Sequence, residues 1–201
     1  MPDPADTNIV DLRERIRVAD KAGHVALVTL LSREYLLLKP QSWIAWHDLG
    51  SALWPMAHYA EALKALRQAR KYCPKNHRHY VEAAFGHLYK RWGKYKLAAR
   101  WYQKMIDATP DDATGYIFRG AALARLGSLR EAEAMHRAAT ACSEGCIDEA
   151  YLNLGLVLRA QERSGEAAES FRKALELTPD YQEALNGLAD VEHVLANLDA
   201  E

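Results

Sequence analysis

Four glycines, Gly50, Gly86, Gly120 and Gly155, recur at intervals of 36, 34 and 35 residues, and each is followed twelve residues later by an alanine: Ala62, Ala98, Ala132 and Ala167. A period in this range marks a chain built from copies of one supersecondary unit, none of which can bury its apolar face alone. Pro40, Pro74, Pro110 and Pro179 close the same units, with Glu144 where the missing proline belongs. Between glycine and alanine lies a turn signal such as RWGKY (91–95) or RLGSL (125–129), flanked on both sides by apolar residues at helical spacing. Each unit therefore reads as a hairpin of an A helix and a B helix. Glycine in a helix interior costs roughly 0.5–1 kcal/mol relative to alanine. Close helix approach offsets that cost, because a side chain at Gly50 would push the A helix away from its partner. The proline then stops the B helix and opens the next unit.

The pattern resembles the tetratricopeptide repeat family, whose units run to about 34 residues, and the resemblance covers nearly the whole chain. It is carried by Trp46, Tyr116 and Tyr151 early in the A helices and by the pairs Leu49–Gly50, Phe85–Gly86 and Leu154–Gly155. Later motif positions are met by Tyr59, Tyr95, Leu66, Tyr102, Phe171, Ala69, Ala139 and Ala174. The resemblance implies an all-α fold, a right-handed superhelical solenoid of antiparallel helix pairs with eleven helices. A flexible N-terminus (1–8) precedes five repeats at 9–42, 43–78, 79–112, 113–147 and 148–181. A capping helix (182–201) follows, with an apolar stripe through Leu185, Leu188, Val191 and Leu195. Several positions depart from the motif. Ile16 stands where the first repeat should have glycine, and Arg119 and His136 replace large apolar residues in the fourth. Pro55 is expected to end its A helix early by driving Trp54 out of helical angles, and extra residues in CPKNHRHY (73–80) lengthen one link.

At 201 residues, 49% hydrophobic and 26% charged, the chain has the composition of a folded array. It has no run of eighteen apolar residues, and MPDPADTNIVDLRERI has neither the basic start nor the apolar stretch of a leader, so a soluble, cytoplasmic protein is expected. Cys73, Cys142 and Cys146, odd in number and without framework spacing, suit a reducing compartment. A short CSEGC bridge between the last two remains an alternative. The net charge of −1 hides an asymmetry: residues 61–106 hold twelve bases and two acids, and residues 144–201 hold four bases and thirteen acids. Such a dipolar chain attracts an anionic partner at its middle or pairs with another copy of itself.

No motif demands catalysis. The eight histidines show no HExxH spacing, and no glycine-rich phosphate loop follows a strand. Cys73 with His77 and His79, and His136 with Cys142 and Cys146, offer three ligands each, whereas a structural zinc site wants four. The expectation is no enzyme, no cofactor and no metal.

The informative positions are those that, in this family, line the inner groove formed by stacked A helices. Here they give Arg13, Arg17, His47, Trp54, Tyr80, His87, Lys90, Arg91, Ile117, Arg125, Leu152, Leu156 and Arg159. The first three repeats contribute an excess of bases, with Trp54 and Tyr80 as aromatic anchors. The last two contribute an apolar strip. The resemblance therefore implies a protein-interaction adaptor that holds a peptide or helix of a partner carrying acidic residues. The chaperone-peptide clamp of this family is not matched, because Asp48, Tyr80 and Ala84 occupy clamp positions. A self-assembling scaffold is the alternative. Binding of RNA or another polyanion through the basic middle segment ranks behind both, since several of its aromatic rings sit at packing positions. No membrane partner is expected.

Overall fold

The computed structural model describes the backbone of residues 4–198 and the side chains of residues 9–197. Among the described residues it holds eleven α-helices: α1 (Pro4–Lys21), α2 (Val25–Leu38), α3 (Trp43–Leu53), α4 (Tyr59–Tyr72), α5 (Arg78–Arg91), α6 (Tyr95–Ala108), α7 (Ala113–Ala124), α8 (Leu129–Thr140), α9 (Ile147–Ala160), α10 (Ser164–Leu177) and α11 (Gln182–Leu198). The chain divides into two compact units, residues 1–94 and 95–201. In the first, α1 packs on α2, α2 on α3, α3 on α4, and α4 on α5. In the second, the same succession runs from α6 to α11. Within each unit A helices also touch one another, α3 with α5 and α7 with α9, and α9 touches α11. Within each unit, taken by itself, the A helices thus form one layer and the B helices another.

The steric reason for the glycines is visible in three hairpins. A Cβ on Gly50 would lie 2.7 Å from the Leu66 side chain, one on Gly120 2.5 Å from the His136 ring, and one on Gly155 2.6 Å from Phe171. The residue that fills the glycine's empty space is therefore sixteen positions on. The alanine twelve positions on is fully buried beside it in each hairpin. The first repeat inverts the arrangement, with the large Ile16 on the A helix and the small Ser32 sixteen residues later, both buried.

Each A-to-B turn places one residue in the left-handed region. It is a glycine at Gly23 (φ 69°), Gly93 (φ 72°) and Gly127 (φ 77°), but Ala57 (φ 61°) and Glu162 (φ 62°) take the same place in the other two turns. α3 stops at Leu53, just short of Pro55, yet Trp54 keeps helical angles (φ −73°, ψ −30°). The break is thus made by the proline's missing N–H and the Ala57 turn, not by a displaced Trp54. The lengthened link before α5 is a 3₁₀ turn, Lys75–His77.

Two boundaries differ from expectation. Helix α1 already begins at Pro4, inside the segment expected to be flexible, while residues 1–3 lie outside the described residues. In α11 the apolar stripe is rotated: Val191 is fully buried, and Leu188 and Leu195 pack against the core, but Leu185 is exposed and Ala184 takes its place. Gly187 lets α11 close over Phe171, since a Cβ there would come within 2.7 Å of its ring. Residues 199–201 of the expected cap lie outside the described residues.

Candidate functional site

In the first unit the A-helix layer is built by α1, α3 and α5. On α1, Arg13 is not a free cation: its Nη1 donates to Asp48 Oδ2 of α3 at 2.6 Å. The His47 Nδ1 lies 3.5 Å from the other oxygen of the same carboxylate. Arg17 donates through Nε to Glu14 at 2.8 Å, one turn back on its own helix. The Arg17 guanidinium holds the Glu14 carboxyl below its ordinary range. The basic character read from Arg13 and Arg17 is therefore largely neutralised, which spacing on a single helix could not reveal. Lys90 and Arg91, at the end of α5, are exposed and carry no ion pair among the described residues.

Trp54, expected as an aromatic anchor of the groove, stacks on His87 with ring centroids 6.4 Å apart and 24° between planes. Burial, reinforced by the Lys90 ammonium and by His47, pushes His87 down to about 4, so its ring is neutral near pH 7. Tyr80 is 54% exposed. Its ring lies 6.2 Å from that of His77, which stacks in turn on Trp43 at 5.6 Å, and 4.0 Å from that of His79. Sequence reasoning missed Asp48 as a neutralising acid and Trp43 and His77 as ring partners. The only signal was their place beside groove positions on the neighbouring helix.

The aromatics of the basic segment are engaged with one another. Trp92 stacks on Tyr59 (5.3 Å, 18°) and on Tyr89 (6.3 Å, 5°), and the Lys94 ammonium sits 3.5 Å from its ring centre. In the second unit the Lys104 ammonium sits 4.0 Å from the Trp101 ring. Each of these half-buried rings already stacks on another ring or lies under an ammonium group.

In the second unit the A-helix layer is α7, α9 and α11. Two expected contact residues are core instead: Ile117 is 2% exposed and Leu152 6%. Adjacent A helices press together in this layer, so these positions are sealed between them. Leu156 is partly buried against the same core. Arg159 pairs with Asp190 of α11 at 2.7 Å, and Arg125 lies over the Tyr95 ring at 5.6 Å. Of the groove positions here, Arg125 and Arg159 are exposed and Ala121, Ala124 and Leu156 partly so.

Among the described residues no three His, Cys, Asp or Glu side chains gather where they could hold a metal ion. Cys73 is buried, with its thiol donating to the Pro74 carbonyl, and His136 is enclosed beneath Gly120. Cys142 and Cys146 are free thiols, not a bridge. Burial raises all three thiols above their ordinary range. No described helix is long and apolar enough to cross a membrane.

Comparison with known proteins agrees with this architecture. RNA polymerase II-associated protein 3 of Rattus norvegicus is 32% identical over 112 residues, 56% of this chain but 17% of that protein. The chain thus spans less than a fifth of the curated relatives it matches. Among solved structures, YrrB, described as a TPR protein with an unusual peptide-binding site, superposes with a TM-score of 0.65 over 92% of this chain and 97% of its own, at 20% identity. The first TPR of Spaghetti (RPAP3), bound to the HSP90 peptide SRMEEVD, is 30% identical with a TM-score of 0.55, over 59% of this chain and 93% of its own. The fold is thus a tetratricopeptide-type helical repeat. The family described as "T7SS, ESX-1 secretion system protein EccA1, N-terminal domain" matches residues 22–201, and the chain belongs to it.

Proposed function

We propose that this chain is a non-catalytic protein-interaction adaptor whose α5 receives an acidic segment of a partner protein. The observation that carries the reading is a single stripe of α5: exposed Tyr80 at one end, neutral His87 backed by Trp54 in the middle, and unpaired Lys90 and Arg91 at the other. Ten residues of helix separate Tyr80 from Lys90, on the order of 15 Å, a length suited to a short extended peptide. An aromatic anchor supplies apolar contact, and the cations set orientation and on-rate. The RPAP3 repeat holds a peptide ending in acidic residues, which supports a partner of that chemistry. Arg13 and Arg17 contribute little to such binding because both are already paired. The second unit by itself presents the part-exposed Ala121, Ala124 and Leu156, a small apolar strip suited to apolar side chains.

The free thiols fit a reducing, cytoplasmic setting. Capture of partners from native lysate tests the reading. Wild-type chain should retain a protein that Lys90→Glu/Arg91→Glu loses, with Tyr80→Ala weakening it as well. Equal retention by all three would exclude α5 as the binding face. The scaffold alternative draws on a different surface, the outward face of the B helices.

A further inference from the structure

The B helices of the first unit carry an outward ridge that the adaptor reading does not use. On α2 the solvent-facing stripe is Ala26, Leu30, Arg33 and Leu37. On α4 the residues 34 positions later are Ala60, Lys64, Arg67 and Lys71. All eight are exposed, and Leu30 and Leu37 reach 63% and 84%. An Arg33–Glu61 ion pair ties the two helices side by side. The outcome is one composite face, an apolar ridge along α2 next to a basic ridge along α4 that Lys75 prolongs. Lys64, Arg67, Lys71 and Lys75 form no ion pair among the described residues. Leucines this exposed are not needed for the core, and contiguous exposed apolar surface marks a contact site.

The same chain carries the complement. Where α10 passes into α11, Leu177 is 55% exposed and Leu185 41%. Around them stand exposed Glu176, Asp180 and Glu183. Of these acids Glu176 is paired, with Lys173 at the surface, and the other two form no ion pair among the described residues. Both surfaces thus combine exposed leucines with charge, and the charges are opposite. We infer that the α2–α4 face receives the α10–α11 corner of a second copy of this chain, head to tail. Such a contact uses two different patches, so each copy keeps one of each free and association propagates or closes into a ring. It goes beyond the adaptor reading and leaves Lys90 and Arg91 untouched.

Sedimentation velocity over a concentration series tests it. The wild-type chain should self-associate at low salt and shift toward monomer at ~0.5 M salt, where screening shortens to a few ångström. Lys64→Glu/Arg67→Glu/Lys71→Glu, and separately Glu176→Lys/Asp180→Lys/Glu183→Lys, should each weaken association at least tenfold while keeping the helical circular dichroism of wild type. Leu30→Asp/Leu37→Asp should weaken it without changing charge on α4. The basic and acidic triple variants are both surface-charge changes, and each retains one intact patch. Mixing them in equal amounts should therefore restore hetero-association, because the unaltered basic face of one variant meets the unaltered acidic corner of the other and the two reversed patches are again opposite in charge. A wild-type chain monomeric throughout, or triple variants that associate like wild type, would overturn the proposal. So would failure of the mixture to associate. Flotation of wild-type chain with phosphatidylglycerol vesicles, lost in the basic-ridge variant and unaccompanied by self-association, would reassign the face to an anionic bilayer.

Discussion

His136 lies directly beneath Gly120: a methyl group at 120 would sit 2.5 Å from the ring's Cε1 and 2.9 Å from its Nδ1. The ring is 1% exposed and cannot swing aside. Gly120→Ala should therefore destabilise the chain by about 1–3 kcal/mol, the usual cost of overpacking. In a His136→Ala background the same substitution should cost almost nothing. Urea unfolding of the four members of this cycle measures the coupling.

The same histidine makes stability depend on pH. Burial pushes His136 down to about 4, and no hydrogen-bond partner reaches its Nδ1 among the described residues. The unfolded chain takes up the proton near 6.5, the folded chain only near 4. Stability is thus complete above about pH 6.5 and is lost as pH falls toward 4, by about 3 kcal/mol for this residue. His87 acts in the same direction. His136→Phe, which copies the Gly155–Phe171 arrangement, should raise stability at neutral pH and flatten the profile between pH 6.5 and 4. Thermal unfolding across that range checks it.

Ala57 adopts the left-handed conformation that glycine adopts in three of the other turns. An L residue there is strained by roughly 1–2 kcal/mol, against which glycine gives back part through unfolded-state entropy. Ala57→Gly should stabilise by about 0.5–1 kcal/mol, read as a higher urea midpoint with unchanged slope.

Leu152 belongs to the core formed with Leu154, Leu158 and Phe171. Leu152→Asp should lower stability by several kcal/mol, in the range of about 2–5 kcal/mol seen for large core truncations, with the carboxylate's desolvation added. Its circular dichroism and unfolding midpoint separate this loss of folding from any change in ligand release.

The hairpins were legible because their cause is local and repeated. Glycine at 50, 120 and 155 meets a large side chain sixteen residues on, and turn residues such as Gly93 and Gly127 must take positive φ. The binding face was less legible because it depends on neighbours from other helices. Arg13 loses its free charge to Asp48, 35 residues away, and Trp54 gains a partner in His87. Ile117 and Leu152 lie at groove positions by count, but the close stacking of successive A helices seals them. A helical wheel shows which way a residue points, not what the next repeat places against it.

Hydrogen exchange of the chain, free and saturated with the partner captured from lysate, tests the central claim most directly. Slowed exchange is predicted in segments covering α5 from Tyr80 to Arg91 and in the adjoining α3 around His47 to Trp54. It should disappear in Lys90→Glu/Arg91→Glu at the same partner concentration. Protection confined to α4 or to α10, with α3 and α5 exchanging as in the free chain, would contradict the account.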